Sequence, residues 1–247
     1  MTKDVPVFQR YGSAIEALAD KGRFEQRFYR AGETIVVQGD EETRAFIVKA
    51  GWGCISRYLY GGQRQLIELS LAGDVVDFSF GATGGQEELS ALTDMVVWEG
   101  SSARMAILDR AHEEVSRFLA DATRRRRAIL VERLANIALR DASARIAHFL
   151  LEIGTRLCLA GLPAQKGYQC PLVQQDLADA LGMTPIHVNR MLREARSLNL
   201  YDFRRGHVEF LNHAATVAFA DFDRDFLSWG NIAQYRRYVP HLDAAHL

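Results

Sequence analysis

From Phe24 to Leu108, apolar and polar positions alternate in short runs separated by turn residues. The runs are Thr34–Gln38, Ala45–Lys49, Cys54–Tyr60, Gln65–Leu71, Val75–Phe80, Met95–Glu99 and Met105–Leu108. Between them stand Gly39-Asp40, Gly51-Trp52-Gly53, Gly61-Gly62, Gly73-Asp74 and Gly84-Gly85. Strands at this spacing with glycine-permitted turns predict an antiparallel β-roll, a jelly-roll or cupin-like sandwich or barrel. Gly61-Gly62 between two alternating runs is a hairpin signal.

The period changes near His112. From there to Arg140 the chain has no glycine or proline, and Val115, Phe118, Leu119, Ala122, Ile129, Leu130, Leu134, Ile137 and Ala138 recur at helical spacing. That predicts a helix of about 28 residues, roughly 42 Å long. Its apolar stripe needs a partner: the roll, a twin helix in a homodimer, or both, which we favour. Arg124–Arg127 spreads over more than one face of this helix. It reads as a solvated collar or as partners for roll acids, ahead of a nucleic-acid contact.

Further on, Leu177, Ala178 and Leu181 lie on one side of a short helix from Gln174 to Leu181. Gly182 breaks it, Thr184 is a good N-cap, and Pro185 suits the first turn of a second helix ending near Asn199. Two helices joined by a tight glycine turn make a helix-turn-helix. Ala178, Gly182 and Val188 fall where it needs a small residue, a positive φ and an apolar contact. At about 100° per residue, Val188, Met191, Leu192, Ala195 and Leu198 share one face of the second helix. Ile186, Arg190, Arg193 and Ser197 lie opposite, flanked by His187, Asn189, Glu194 and Arg196. An apolar face backed by an arginine-rich one suits a helix in the DNA major groove. Two short β runs then flank Arg205-Gly206, a hairpin wing with Arg204, Arg205 and His207 near its tip. Phe219, Phe222, Phe226 and Trp229 mark an amphipathic tail helix.

Charge sharpens this division. Phe24 to Leu108 holds 12 acidic and 7 basic residues, whereas Pro185 to Arg205 holds 5 arginines against Glu194 and Asp202. An acidic front and a basic patch behind it predict two tasks in one chain, with the basic part facing phosphate. All 7 histidines lie at or after His112, which disfavours a metal cupin enzyme on the roll. Cys54, Cys158 and Cys170 fit no disulfide framework or Cys-x-x-Cys site and read as free thiols. Without a signal segment or a membrane-length apolar run, the expected compartment is the cytoplasm.

The order of roll, long helix and winged helix-turn-helix, an α+β class, resembles the CRP/FNR superfamily of bacterial transcription regulators. The resemblance rests on Phe28-Tyr-Arg-Ala-Gly-Glu-Thr-Ile35, Gln38-Gly-Asp40, Leu71-Ala-Gly-Asp74, the hinge-like segment from Leu139 to Leu150, and the segment from Gln175 to Arg190. It divides the chain into a roll (1–111), a dimerisation helix (112–140), a DNA-binding domain (141–213) and a tail helix (214–247). It implies a homodimer on near-palindromic double-stranded DNA and contact with RNA polymerase. Gln174, Gln175 and Thr184 are then expected at phosphates. Ile186, His187, Asn189, Arg190 and Arg193 are expected at bases or flanking phosphates, and Arg205 at a phosphate beside the wing. Where the family's usual recognition glutamate stands, this chain has Ile186, suited to a thymine methyl; Arg190 suits guanine.

Other departures concern the effector. Gln86-Glu-Glu-Leu-Ser-Ala-Leu-Thr93 lacks the arginine with which cyclic-AMP-binding members hold phosphate, and it adds carboxylates. No cysteine precedes Cys54, so an N-terminal iron–sulfur cluster is not expected, and the roll has no histidine for haem. No cofactor is expected, and the effector, if one exists, is unidentified. Arg57, Arg64, Glu68 and Asp77 could line a pocket or be surface charges. The rival readings are a ligand-binding roll scaffold without DNA activity and, more remotely, a cupin-type enzyme.

Overall fold

The computed structural model describes residues 5–40, 43–79 and 85–228. Two four-stranded antiparallel sheets form the roll. One has the order β1 (Glu25–Tyr29), β8 (Met95–Ser101), β3 (Arg44–Ala50), β6 (Val75–Asp77). The other has the order β2 (Thr34–Val36), β7 (Glu88–Ala91), β4 (Gly53–Tyr58), β5 (Arg64–Ser70). Their facing side chains fill the interior: Ile35, Ile55 and Leu89 from one sheet meet Phe46, Val48, Val76 and Val97 from the other. Ala45 and Ile47, on the opposite face of β3, pack outward against helices, as a two-residue period requires.

Those helices correct part of the strand pattern. The N-terminal helices α1 (Val7–Arg10) and α2 (Gly12–Asp20) were not anticipated. Met105–Leu108, expected as a strand, lies within α3 (Ser102–Ala111). Ser102, Met105 and Leu108 are buried three residues apart and Ile107 is 63% exposed, a helical rhythm that a four-residue apolar run conceals. β1 was missed because its side chains are mostly exposed, so it shows no alternation. The run predicted from Val75 ends as a strand at Asp77, and Phe80 and Gly84 lie outside the described residues.

The predicted long helix is α4 (Glu113–Leu139), 27 residues. Val115 and Phe118 pack with α2, α3 and the roll, while Ile129 joins the core shared with α5 (Ala142–Leu159). The arginine run divides. Arg125 meets Asp74 at 3.1 Å, Arg126 Nε meets Glu68 at 2.7 Å, Arg124 pairs with Asp121 on its own helix, and Arg127 is exposed. Asp74, in the turn before β6, also takes Arg156 of α5 at 2.6 Å. Arg156 and Arg133 of α4 in turn reach Glu152 at 3.2 and 3.1 Å. Roll, α4 and α5 thus share one buried ionic network. Because each charge there is costly to bury alone, the network fixes how the three meet.

The remaining elements are β9 (Gly167–Gln169), α6 (Gln174–Leu181), α7 (Pro185–Ser197), β10 (Asp202–Arg204), β11 (His207–Glu209) and α8 (His213–Phe219). The continuous tail helix expected from residue 214 is not what forms. α8 ends at Phe219, Asp221 adopts φ 46°, and a separate 3-10 turn follows at Arg224–Leu227. The break lets Phe222 and Phe226 pack on the buried His148 ring at 5.0 and 6.0 Å. Trp229 lies outside the described residues.

Candidate nucleic-acid interface

Local chemistry sets the turn between α6 and α7. Gly182 adopts φ 65°, ψ 44°, and a Cβ there would meet nothing within 4 Å. The left-handed backbone, rather than crowding, asks for glycine. The Thr184 side chain accepts from the His187 backbone N–H at 3.2 Å, and Pro185 opens α7. At the other end of the motif, Asp176 accepts from the Val173 backbone N–H at 2.8 Å, capping α6 from its third position.

Four residues of the expected apolar face of α7, Val188, Met191, Leu192 and Ala195, are buried with Leu177, Ala178 and Leu181 of α6. The fifth, Leu198, is the C-cap and is 54% exposed, because the helix ends at Ser197. On the opposite face Ile186 is 85% exposed, Arg190 and Arg193 are exposed, and His187 and Asn189 are partly so. A β-branched hydrocarbon left that bare beside two arginines has no packing role among the described residues. Asn189 Nδ2 donates to Gln174 Oε1 at 3.2 Å, and Gln175 Nε2 donates to Asp179 Oδ1 at 2.6 Å. Gln174 at the start of α6 is therefore joined to α7, whereas Gln175 is held along its own helix.

The wing is a three-stranded sheet in the order β10, β11, β9; the third strand was not anticipated. Arg205 and Gly206 form the hairpin tip with φ 54° and 72°, and successive positive φ values suit the twist of a two-residue hairpin. Arg205 projects there, exposed. Arg204 and Arg196 are spoken for: both pair with Asp202, at 2.5 and 2.6 Å. Arg196, placed beside the arginine face by helical geometry, is therefore engaged with the wing. Among the described residues no carboxylate pairs with Arg190, Arg193 or Arg205. Three guanidiniums without a carboxylate partner and an exposed isoleucine lie on α7 and the wing tip, chemistry suited to a phosphate-edged groove.

Arg64, expected to line a pocket or sit at the surface, is instead bound to α6. Its Nε meets Asp179 Oδ2 of α6 at 2.7 Å, and its Nη2 bonds Asp176. Burial works against the Arg64 charge, and the two aspartates more than offset this, raising its pKa. Glu68 is engaged with Arg126, Asp77 with Ser102 at 2.6 Å, and Arg57 is exposed, so these four do not line one pocket. Nothing in the sequence around Arg64 signals its partners, which lie 112 and 115 residues away.

Comparison with known proteins agrees with this geometry. Residues 144–215 match the Crp-like helix-turn-helix domain, and residues 26–108 match the cyclic nucleotide-binding domain. The nitrogen fixation regulation protein FixK of Rhizobium meliloti is 27% identical over 177 residues, 71% of this chain and 77% of that one. The fumarate and nitrate reduction regulatory protein of Vibrio cholerae is 22% identical over 203 residues, 78% of each chain. The FixK2 structure from Bradyrhizobium japonicum superposes with a TM-score of 0.68 at 22% identity, over 79% of this chain and 96% of that one. A two-layer roll, a long helix and a winged helix-turn-helix, together with these matches, place the chain in the CRP/FNR superfamily of transcription regulators.

Proposed function

We propose that this chain works as a homodimer that reads a near-palindromic duplex site and regulates transcription from it. The observation that carries the reading is the unpaired, exposed face of α7. Arg190 gives a bidentate contact to guanine, Ile186 meets a thymine methyl, and His187, Asn189 and Arg193 read neighbouring edges or phosphates. Gln174, Gln175, Thr184 and Arg205 hold the backbone and set the register. The dimer seam is the C-terminal half of α4, where Val131, Leu134 and Leu139 are exposed at 59, 70 and 83%. Among the described residues such a stripe has no partner, and a twin helix supplies one. This gives the division into roll (1–111), dimer helix (112–140), DNA-binding domain (141–213) and tail.

The effector, where there is one, is neither cyclic AMP nor an iron–sulfur cluster. The resemblance puts the carboxylates of Glu87 and Glu88 in the stretch where cyclic-AMP-binding members hold phosphate with an arginine, and no cysteine precedes Cys54. The packing of Phe46, Val48, Ile55, Leu89 and Val97 between the two sheets equally supports a regulator governed by its own abundance. The chain acts in the cytoplasm, alongside RNA polymerase, by binding and without catalysis.

The test is selection of random duplex DNA by the purified full chain at two salt concentrations, with sedimentation of the same preparation. Expected are a dimer and an enriched inverted repeat, its half-sites about one helical turn apart. A monomer, or salt-sensitive binding with no motif, would overturn the reading. Leu134→Glu is expected to dissociate the dimer and remove cooperative binding to both half-sites.

A further inference from the structure

We infer that Arg64 of the roll is a positioning residue for DNA recognition: by clamping Asp176 and Asp179 it holds the helix-turn-helix in a DNA-ready orientation. The clamp rests on the DNA-binding reading above. Arg64 opens β5, immediately after the Gly61-Gly62 turn. Its guanidinium uses two nitrogens on two carboxylates, with Nε on Asp179 Oδ2 at 2.7 Å and Nη2 on Asp176. All three side chains are largely buried, at 24, 10 and 12% exposure. A forked donor between two carboxylates fixes direction as well as distance, which a lysine would not.

Three features give the contact its sense. First, Asp176 and Asp179 lie three residues apart, on one face of α6, and that face carries none of the proposed base-reading residues. The clamp therefore engages α6 and leaves Ile186, Arg190 and Arg193, all on α7, exposed. Second, both aspartates are tied to the DNA edge of the motif. Asp176 caps the start of α6 through the Val173 N–H, and Asp179 orients Gln175. Without Arg64, two negative charges would stand uncompensated beside a phosphate contact. Third, the roll is itself fixed to α4 through Arg125–Asp74 and Arg126–Glu68. Clamping α6 to β5 thereby ties the reading helix to the dimer seam, and with it the separation of the two reading helices in a dimer.

The experiment uses the full chain in three forms: wild type, Arg64→Glu, and Arg64→Glu with Asp179→Arg. Asp176 is left intact because it caps α6. Binding is read on inverted repeats whose half-site spacing is varied base pair by base pair. Separately, without DNA, spin labels at Tyr60→Cys and Ser197→Cys in a Cys158→Ser background report the distance from roll to α7. Arg64→Glu is expected to weaken binding about tenfold, to flatten the spacing preference and to broaden the distance distribution. The charge-reversed pair is expected to recover the narrow distribution and part of the spacing preference. A merely structural loss would not be rescued by reversal. Unchanged or tighter binding with an unchanged distance would overturn the clamp. Failure of the wild type to select DNA, with a distance that still depends on Arg64, would count against the DNA-binding reading and leave the contact standing.

Discussion

The roll and the reading head handle charge in opposite ways. In the roll, Glu68 meets Arg126, Asp74 takes Arg125 and Arg156, and Arg44 lies 3.3 Å from Glu99. Its interior is closed by its own side chains. In the head, Asp202 engages Arg196 and Arg204, yet Arg190, Arg193 and Arg205 remain without a carboxylate. Elsewhere the buried and half-buried arginines are engaged, Arg145 by backbone carbonyls and the others by carboxylates, while these three stay exposed on α7 and the wing tip, open to a partner outside the chain. On the proposed function, the contrast separates basic residues that assemble this molecule from those that contact DNA. A count of arginines in either segment cannot do so.

The largest effects expected on this contrast are on stability. Phe46 is fully buried between the two sheets. Phe46→Ala should cost about 3–5 kcal/mol in denaturant unfolding, while the DNA motif selected by the folded fraction stays the same. Leu177 is fully buried between α6 and α7. Leu177→Ala should cost about 2–5 kcal/mol and lower DNA affinity as well, since it disturbs the platform of the reading helix. If the two substitutions altered the selected motif alike, roll and head would not be functionally distinct.

Next in size is the groove face. Arg190→Ala is exposed and unpaired, so it should leave the melting temperature nearly unchanged while costing about 1–3 kcal/mol of binding, concentrated at one base pair of each half-site. Smaller effects probe the turn. Gly182→Ala forces a side chain into φ 65° and should cost about 1–2 kcal/mol of stability, although space for its Cβ is free. Thr184→Ala removes the N-cap and should cost about 1 kcal/mol, both measured by thermal unfolding. Smallest is the response of the thiols. Burial pushes Cys54 up to about 11 and Cys170 up to about 12, so both should resist alkylation at neutral pH until the chain unfolds.

What was legible in the sequence follows the range of the interactions concerned. The helix-turn-helix is a local device: Gly182, Thr184, Pro185 and the apolar positions of α7 specify it within about 25 residues, and the structure places each as expected except Leu198. The long helix announced itself by length and period. β1 was hidden because an exposed edge strand has no apolar face to display. α3 was misread because four residues cannot separate a period of two from one of 3.6. Leu198 was placed on the buried face by a wheel that ran one residue past the end of the helix. Arg64 looked like any roll cation, since its partners are set by tertiary packing alone. Arg196 likewise fitted the DNA face by angle, and only the folded wing shows Asp202 holding it.

The most direct test of the central claim is a side-by-side selection of random duplex DNA by the wild type and by Arg190→Ala, at equal salt and equal occupancy. The account predicts an inverted repeat for the wild type. For the variant it predicts the same repeat with information lost at one guanine in each half. An equal loss of affinity for all sequences, or no inverted repeat from the wild type, would contradict it.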